Sequence, residues 1–279
     1  MKLFQWLAAA VLVPAVSSSA LASPTFFFAE DQGAGSFAAM TNAQAMRTTF
    51  LSNLSGFGID DLESYTARTI TNSLTFVGAG VTATPSLTSD GPAVFPPGVY
   101  IVDPATDSVP GGAGRFPTSG KNYIELSEHL TLDFSTPVAA FGLFVTDFGD
   151  VDNDSTPDEA TRSLGTNDAL LGMRIERQGK PDEEVLVPYT FQSPDQSGLF
   201  FGVIDSTDLI SSITLLHGTS GLPHQPGAWR DGYAYDDFLV ATADQVVEQS
   251  GGGQIPEPAS ALLFGAGLLS LGLLRRRLT

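Results

Sequence analysis

The chain has 279 residues, no cysteine, 31 acidic residues against 13 basic ones, and a formal net charge of −18. The missing cysteine excludes disulfide stapling and thiolate chemistry, and so acidic a chain repels nucleic acid, so no nucleic-acid partner is expected. Nineteen phenylalanines beside abundant Gly, Thr and Ser point to an all-β domain with a Phe-rich core rather than a disordered tether.

Lys2 is a one-charge start, Leu3 to Val16 is mostly apolar, and Ala20-Leu21-Ala22 sets small residues ahead of Ser23. Residues 1–22 therefore read as a signal peptide handled by the secretory translocon. A membrane-spanning helix is the alternative, and the Ser17-Ser18-Ser19 break argues against it. Residues 23–244 are expected to form one domain with a core of its own. Phe26-Phe27-Phe28 is too apolar to stay in water and should pack as a first strand. A helix follows near 42–54, capped by Thr41 or Asn42 and stopped by Gly56 and Gly58. Met46, Phe50, Leu51 and Leu54 share one face, which should lie across a sandwich edge.

From Thr69 onward the pattern is β. Leu74 to Val77, Gly80 to Thr84, Gly98 to Val102, Asn122 to Leu126 and Leu130 to Phe134 are short runs between Gly and Pro clusters. Pro137 marks a turn into Val138 to Val145, apolar enough for a central strand. Ala169 to Arg177, Glu184 to Pro188, Leu199 to Ile204, Ile210 to Leu216 and Gly232 to Thr242 bring the total to about ten or eleven strands. No strand alternates with a helix, so the predicted fold is mainly β. It is a two-sheet antiparallel β-sandwich, jelly-roll-like, with one short N-terminal helix. Residues 245–254, with Gly251-Gly252-Gly253, form a flexible linker.

Residues 255–279 have a different grammar. Pro256-Glu257-Pro258 is stiff and non-helical. Ala259 to Leu274 is a run of sixteen apolar or small residues, and Arg275-Arg276-Arg277 closes it. At about 1.5 Å per residue, such a run makes a transmembrane helix of about 24 Å, short for a permanent span. The arginines favour the cytoplasmic side, leaving the body outside. A plain single-span anchor is the bland alternative. The order of Pro-Glu-Pro, short apolar helix and basic cluster resembles the PEP-CTERM sorting signal of Gram-negative bacteria. That resemblance implies an exosortase that recognises Pro256-Glu257-Pro258 and processes the tail, after transient anchoring in the inner membrane.

The body carries a second resemblance. Phe116 to Ser127 (FPTSGKNYIELS), Ser135 to Gly142 (STPVAAFG), Leu199 to Asp205 (LFFGVID) and Asp231 to Phe238 (DGYAYDDF) are similar to segments of other PEP-CTERM proteins. This implies a jelly-roll-like exported domain, similar in outline to carbohydrate-binding modules; the resemblance carries no established activity to transfer.

Asp150, Asp152 and Asp154 alternate and Asp158 follows, placing oxygen ligands at positions 1, 3, 5 and 9 of a tight loop, as Ca²⁺ requires. The run resembles the calcium loops of thrombospondin type 3 and dockerin-like repeats, with Ser155 in place of their glycine. A solvated acidic hairpin loop is the alternative. Strict alternation through Tyr233-Ala234-Tyr235-Asp236-Asp237-Phe238 puts Asp236 on one face with Phe238, and Asp237 on the other with the tyrosines. A carboxylate on the inward face needs a partner, so Asp236 and Asp237 are a second candidate metal pair, or a turn cap. Trp229 and Tyr233, near Arg230, His224 and Tyr235, are candidates for stacking on a sugar. His217 and His224 read as polar surface. No His-Glu-x-x-His or Gly-x-Ser-x-Gly motif is present.

The expected protein is exported, sorted to the cell surface or extracellular polysaccharide matrix, and not an enzyme. It binds glycan or serves a structural role, with calcium as a possible ligand. The alternatives are a secreted polysaccharide hydrolase, or an adhesin of ice-binding type.

Overall fold

The computed structural model describes residues 24–88, 97–105, 114–126, 128–148, 171–190, 193–217 and 233–247. Fourteen strands and one α-helix build them. The strands are β1 (Thr25–Asp31), β2 (Gly58–Asp60), β3 (Ile70–Thr71), β4 (Leu74–Phe76), β5 (Val81–Thr88), β6 (Val99–Val102) and β7 (Tyr123–Leu126). They continue as β8 (His129–Val138), β9 (Ala140–Thr146), β10 (Leu171–Arg177), β11 (Glu183–Leu186), β12 (Gly198–Ile204), β13 (Ile210–His217) and β14 (Tyr233–Ala241). The helix α1 covers Thr41–Leu51.

Two antiparallel sheets result. The larger has eight strands in the order β1-β12-β9-β14-β7-β6-β3, with β2 also paired to β14; the smaller runs β11-β10-β13-β8-β5-β4. Their facing sides share one core, in which Phe141, Leu143, Phe201, Tyr235 and Phe238 meet Leu130, Leu132, Met173, Ile213 and Leu215. The near-continuous apolar strands β9, β12 and β14 are buried on both faces, because α1 covers the outer side of the larger sheet. That is why their sequences do not alternate.

Phe50 of α1 enters this outer layer where Gly202 of β12 pairs with Gly142 of β9. A Cβ on Gly202 would stand 3.0 Å from the Phe50 ring, and one on Gly142 3.4 Å. Glycine at both positions lets the ring approach the sheet backbone. Phe27 and Phe200 flank it, with ring centroids 5.3 and 5.5 Å away.

Several sequence expectations need correction. The helix ends at Leu51 rather than reaching residue 54, and Met40 is its N-cap, with no side-chain cap of its own. The capping carboxylate comes from β1: Asp31 accepts the backbone N–H groups of Asn42 (3.1 Å) and Ala43 (2.8 Å). Pro137 does not turn the chain. It lies within β8, where pairing with β13 skips from Asp133 to Val138, so no ladder bond is lost to its missing N–H. The crossing into the other sheet is made by Ala139 alone, whose N–H donates to Ala241 and whose carbonyl accepts from Asp205 (both 2.8 Å). No helix among the described residues is long and apolar enough to cross a membrane. The apolar run 259–274 lies outside them, as do the signal peptide and residues 248–254 of the expected linker; its first residues, 245–247, are instead tied to the domain, with Val246 bridged to Leu54.

Candidate functional site

The most heavily used polar positions lie at a break in β14. Asp236 is opposite Phe144 of β9, yet Leu239 is opposite Gly142, so β14 contains one extra residue. Asp237 takes a left-handed φ of 51° at this β-bulge. The bulge reverses the predicted faces beyond it. Tyr233, Tyr235 and Phe238 all point into the inter-sheet core, while Asp236 shares the outer side with Ala234. Strict alternation fails here because the extra residue shifts the phase by one.

Along its other edge, β14 pairs with β7 through Tyr233–Tyr235 and with β2 through Phe238–Val240. The loop after Phe116 meets β14 between them. Oδ2 of Asp236 accepts the Thr118 N–H (2.7 Å), the Ser119 N–H (3.0 Å) and the Thr118 hydroxyl (3.1 Å), and its Oδ1 accepts the Asp237 N–H (2.7 Å). The Thr118 hydroxyl also reaches Asp237 at 3.2 Å. Asn122, further along the loop, donates from its side chain to the carbonyls of Leu62 (2.9 Å) and Tyr65 (3.1 Å). Its backbone N–H and that of Lys121 donate to Glu63. Beside them Asp60 accepts from Leu62, Tyr65 and Thr75.

Burial pushes the Asp236 carboxyl up to about 8, with the adjacent Asp237 charge adding to the shift. Burial also raises Asp237, against the opposing effect of Ser119 and of the Arg47 charge on α1. Asp60 is raised by burial, and burial together with its hydrogen bond to Asp60 raises the Tyr65 hydroxyl. The guanidinium of Arg47 lies 5.9 Å from the Phe144 ring centroid.

This cluster anchors a loop. Among the described residues no group of three or more His, Asp or Glu side chains is placed to hold a metal ion. Asp236 and Asp237 are adjacent and buried, and both oxygens of Asp236 already accept protein donors. Asp150, Asp152, Asp154 and Asp158 lie outside the described residues, as does Trp229.

A second polar cluster sits at the start of β14. His217 is buried, not surface. Its Nε2 is hydrogen-bonded to the Tyr235 hydroxyl, its ring stacks on Tyr233 at 4.5 Å, and its backbone N–H donates to Nδ1 of His129 at 3.0 Å. Tyr233 is therefore a core residue whose ring packs on His217, rather than an exposed sugar platform. Nearby, Arg115 pairs with Glu125 at 2.8 Å and with Asp147 at 3.6 Å. Sequence reasoning missed the roles of Arg47, Asp60 and Thr118. The one available signal was Asp-Asp inside an apolar strand, which marks carboxylates needing donors from elsewhere.

A sandwich with anchored loops defines a mainly β protein of two antiparallel sheets, not a reaction. The specific information is in the tail, where the PEP-CTERM protein-sorting motif matches residues 254–277. The chain thus carries the sorting signal of an exosortase-processed exported protein. No curated protein and no solved structure matches the chain.

Proposed function

We propose that this is a non-enzymatic protein of the cell surface or extracellular matrix. It is held transiently in the inner membrane by residues 259–274 and then processed by an exosortase at Pro256-Glu257-Pro258. The observation that carries this reading is the sorting motif at residues 254–277, set a few residues beyond the end of a two-sheet sandwich. The sandwich is the working part, and its ligand is extracellular polysaccharide. Trp229 is the candidate stacking residue, and Asp150, Asp152, Asp154 and Asp158 are candidate Ca²⁺ ligands. The deep placement of Asp60, Asp236 and Asp237 supports a binding or structural role over hydrolysis, since each accepts hydrogen bonds that hold a neighbouring loop.

Co-sedimentation of the purified protein with the host's extracellular polysaccharide tests this, with calcium and then with chelator. Pelleting in calcium that Trp229→Ala weakens is the expected result. No pelleting in either condition would remove the polysaccharide from the account.

A further inference from the structure

The described chain leaves the sandwich through a surface poor in charge. Val246 bridges back to Leu54, and the Val247 N–H donates to the Asn53 carbonyl at 2.8 Å. The Ser55 N–H donates to the Gln245 carbonyl at 2.7 Å, and Nε2 of Gln245 donates to the Gly78 carbonyl at 3.0 Å. Segments 51–57, 77–80 and 243–247 are thereby tied into one exit face. Val77 is 82 % exposed and Val247 43 %, with Leu54 and Phe57 half-buried beside them. Asp244 is the sole charged residue in these three segments, on a chain of net charge −18. Val77 and Val247 are two of the six large hydrophobic side chains exposed among the described residues, and an apolar pair at the exit of the chain is a candidate contact surface.

The onward path of the chain supplies the occupant. The sorting motif begins at residue 254, so only residues 248–253 separate it from Val247. Covalent geometry limits the seven Cα steps from Val247 to residue 254 to about 25 Å. An enzyme holding the motif therefore works within roughly that distance of the exit face. A bilayer suits the face less well than a protein, because the net charge of −22 between residues 23 and 258 is repelled by anionic headgroups.

We propose that the exit face, centred on Val77 and Val247, docks on the membrane-bound enzyme that processes the sorting motif, a contact made while the motif occupies the active site. The proposal rests on the exosortase reading of the tail. It assigns the body a part in its own sorting, so processing depends on residues outside the motif.

The test is a pulse–chase in the native host with the full chain, following the size shift on processing. Three chains are compared: wild type, Val77→Glu/Val247→Glu, and Pro256→Ala/Glu257→Ala. The motif variant should remain unprocessed, and the exit-face variant should be processed about tenfold more slowly, as when contact residues of an interface are lost. Normal processing of the exit-face variant beside a blocked motif variant would overturn the docking proposal and leave the sorting reading intact. Normal processing of the motif variant would overturn both. Val77→Ser/Val247→Ser, which adds no charge, guards against misfolding. At unchanged melting temperature it should also slow processing, and a wild-type rate overturns the proposal. Flotation with vesicles of phosphatidylethanolamine and phosphatidylglycerol separates a lipid partner from a protein one: binding lost in the glutamate variant would assign the face to lipid and overturn the proposal.

Discussion

Asp236 accepts four hydrogen bonds, yet burial and the Asp237 charge push its carboxyl up to about 8. A carboxyl raised above its ordinary value of 3.8 binds its proton more tightly in the folded protein. Its contribution to stability is whole below that value and is lost as pH rises through about 8. Asp60 and Asp237 are shifted in the same direction. The melting temperature should therefore be higher at pH 5 than at pH 8, the reverse of proteins whose carboxylates are depressed by salt bridges. Asp236→Ala should cost about 1–3 kcal/mol at pH 5, where the Thr118 and Ser119 N–H groups lose their acceptor. It should cost less at pH 8, because it also removes a buried charge, and should flatten the pH dependence. Denaturant melts at the two pH values measure both effects. At the His217 cluster, Tyr235→Phe deletes the hydroxyl bonded to Nε2 and should cost about 1 kcal/mol in the same assay.

Helix α1 is held at two points, and each makes a prediction. Asp31 supplies the capping that Met40 cannot, so Asp31→Ala should cost about 0.5–2 kcal/mol and raise hydrogen exchange in the first turn of the helix. Phe50 fills the slot over Gly142 and Gly202 with no exposed surface, so Phe50→Ala should cost about 3–5 kcal/mol. At this scale most of the fold was legible. The long strands announced themselves by Val, Ile and Phe runs between Gly and Pro, and Phe50 and Met46 by helical spacing. The short strands β2 and β3 were not legible, because two or three residues carry no periodicity. The cap was hidden because its donors and acceptor are eleven and twelve residues apart and belong to different elements. The bulge was hidden because Tyr-Asp-Asp-Phe alternates acceptably in either phase, and only pairing with β9 shows the extra residue.

For the whole molecule, the address was legible in full. Pro256-Glu257-Pro258, the apolar run and three arginines form a local pattern that needs no tertiary information, and the family match falls on it. The candidate site was half legible. Asp236 and Asp237 stood out as charges in an apolar strand, but their partners Thr118 and Ser119 lie more than a hundred residues earlier. Tyr233 looked like a surface aromatic beside Trp229, yet it is buried against His217, which no local pattern encodes.

The measurement that bears most directly on this account is fractionation of the native host. Wild-type chain and Pro256→Ala/Glu257→Ala are followed by antibody through inner membrane, outer membrane and extracellular matrix. The account predicts wild type in the matrix or on the outer surface, shortened at its C-terminus, with the variant retained full-length in the inner membrane. Identical distribution and size of the two chains would contradict it.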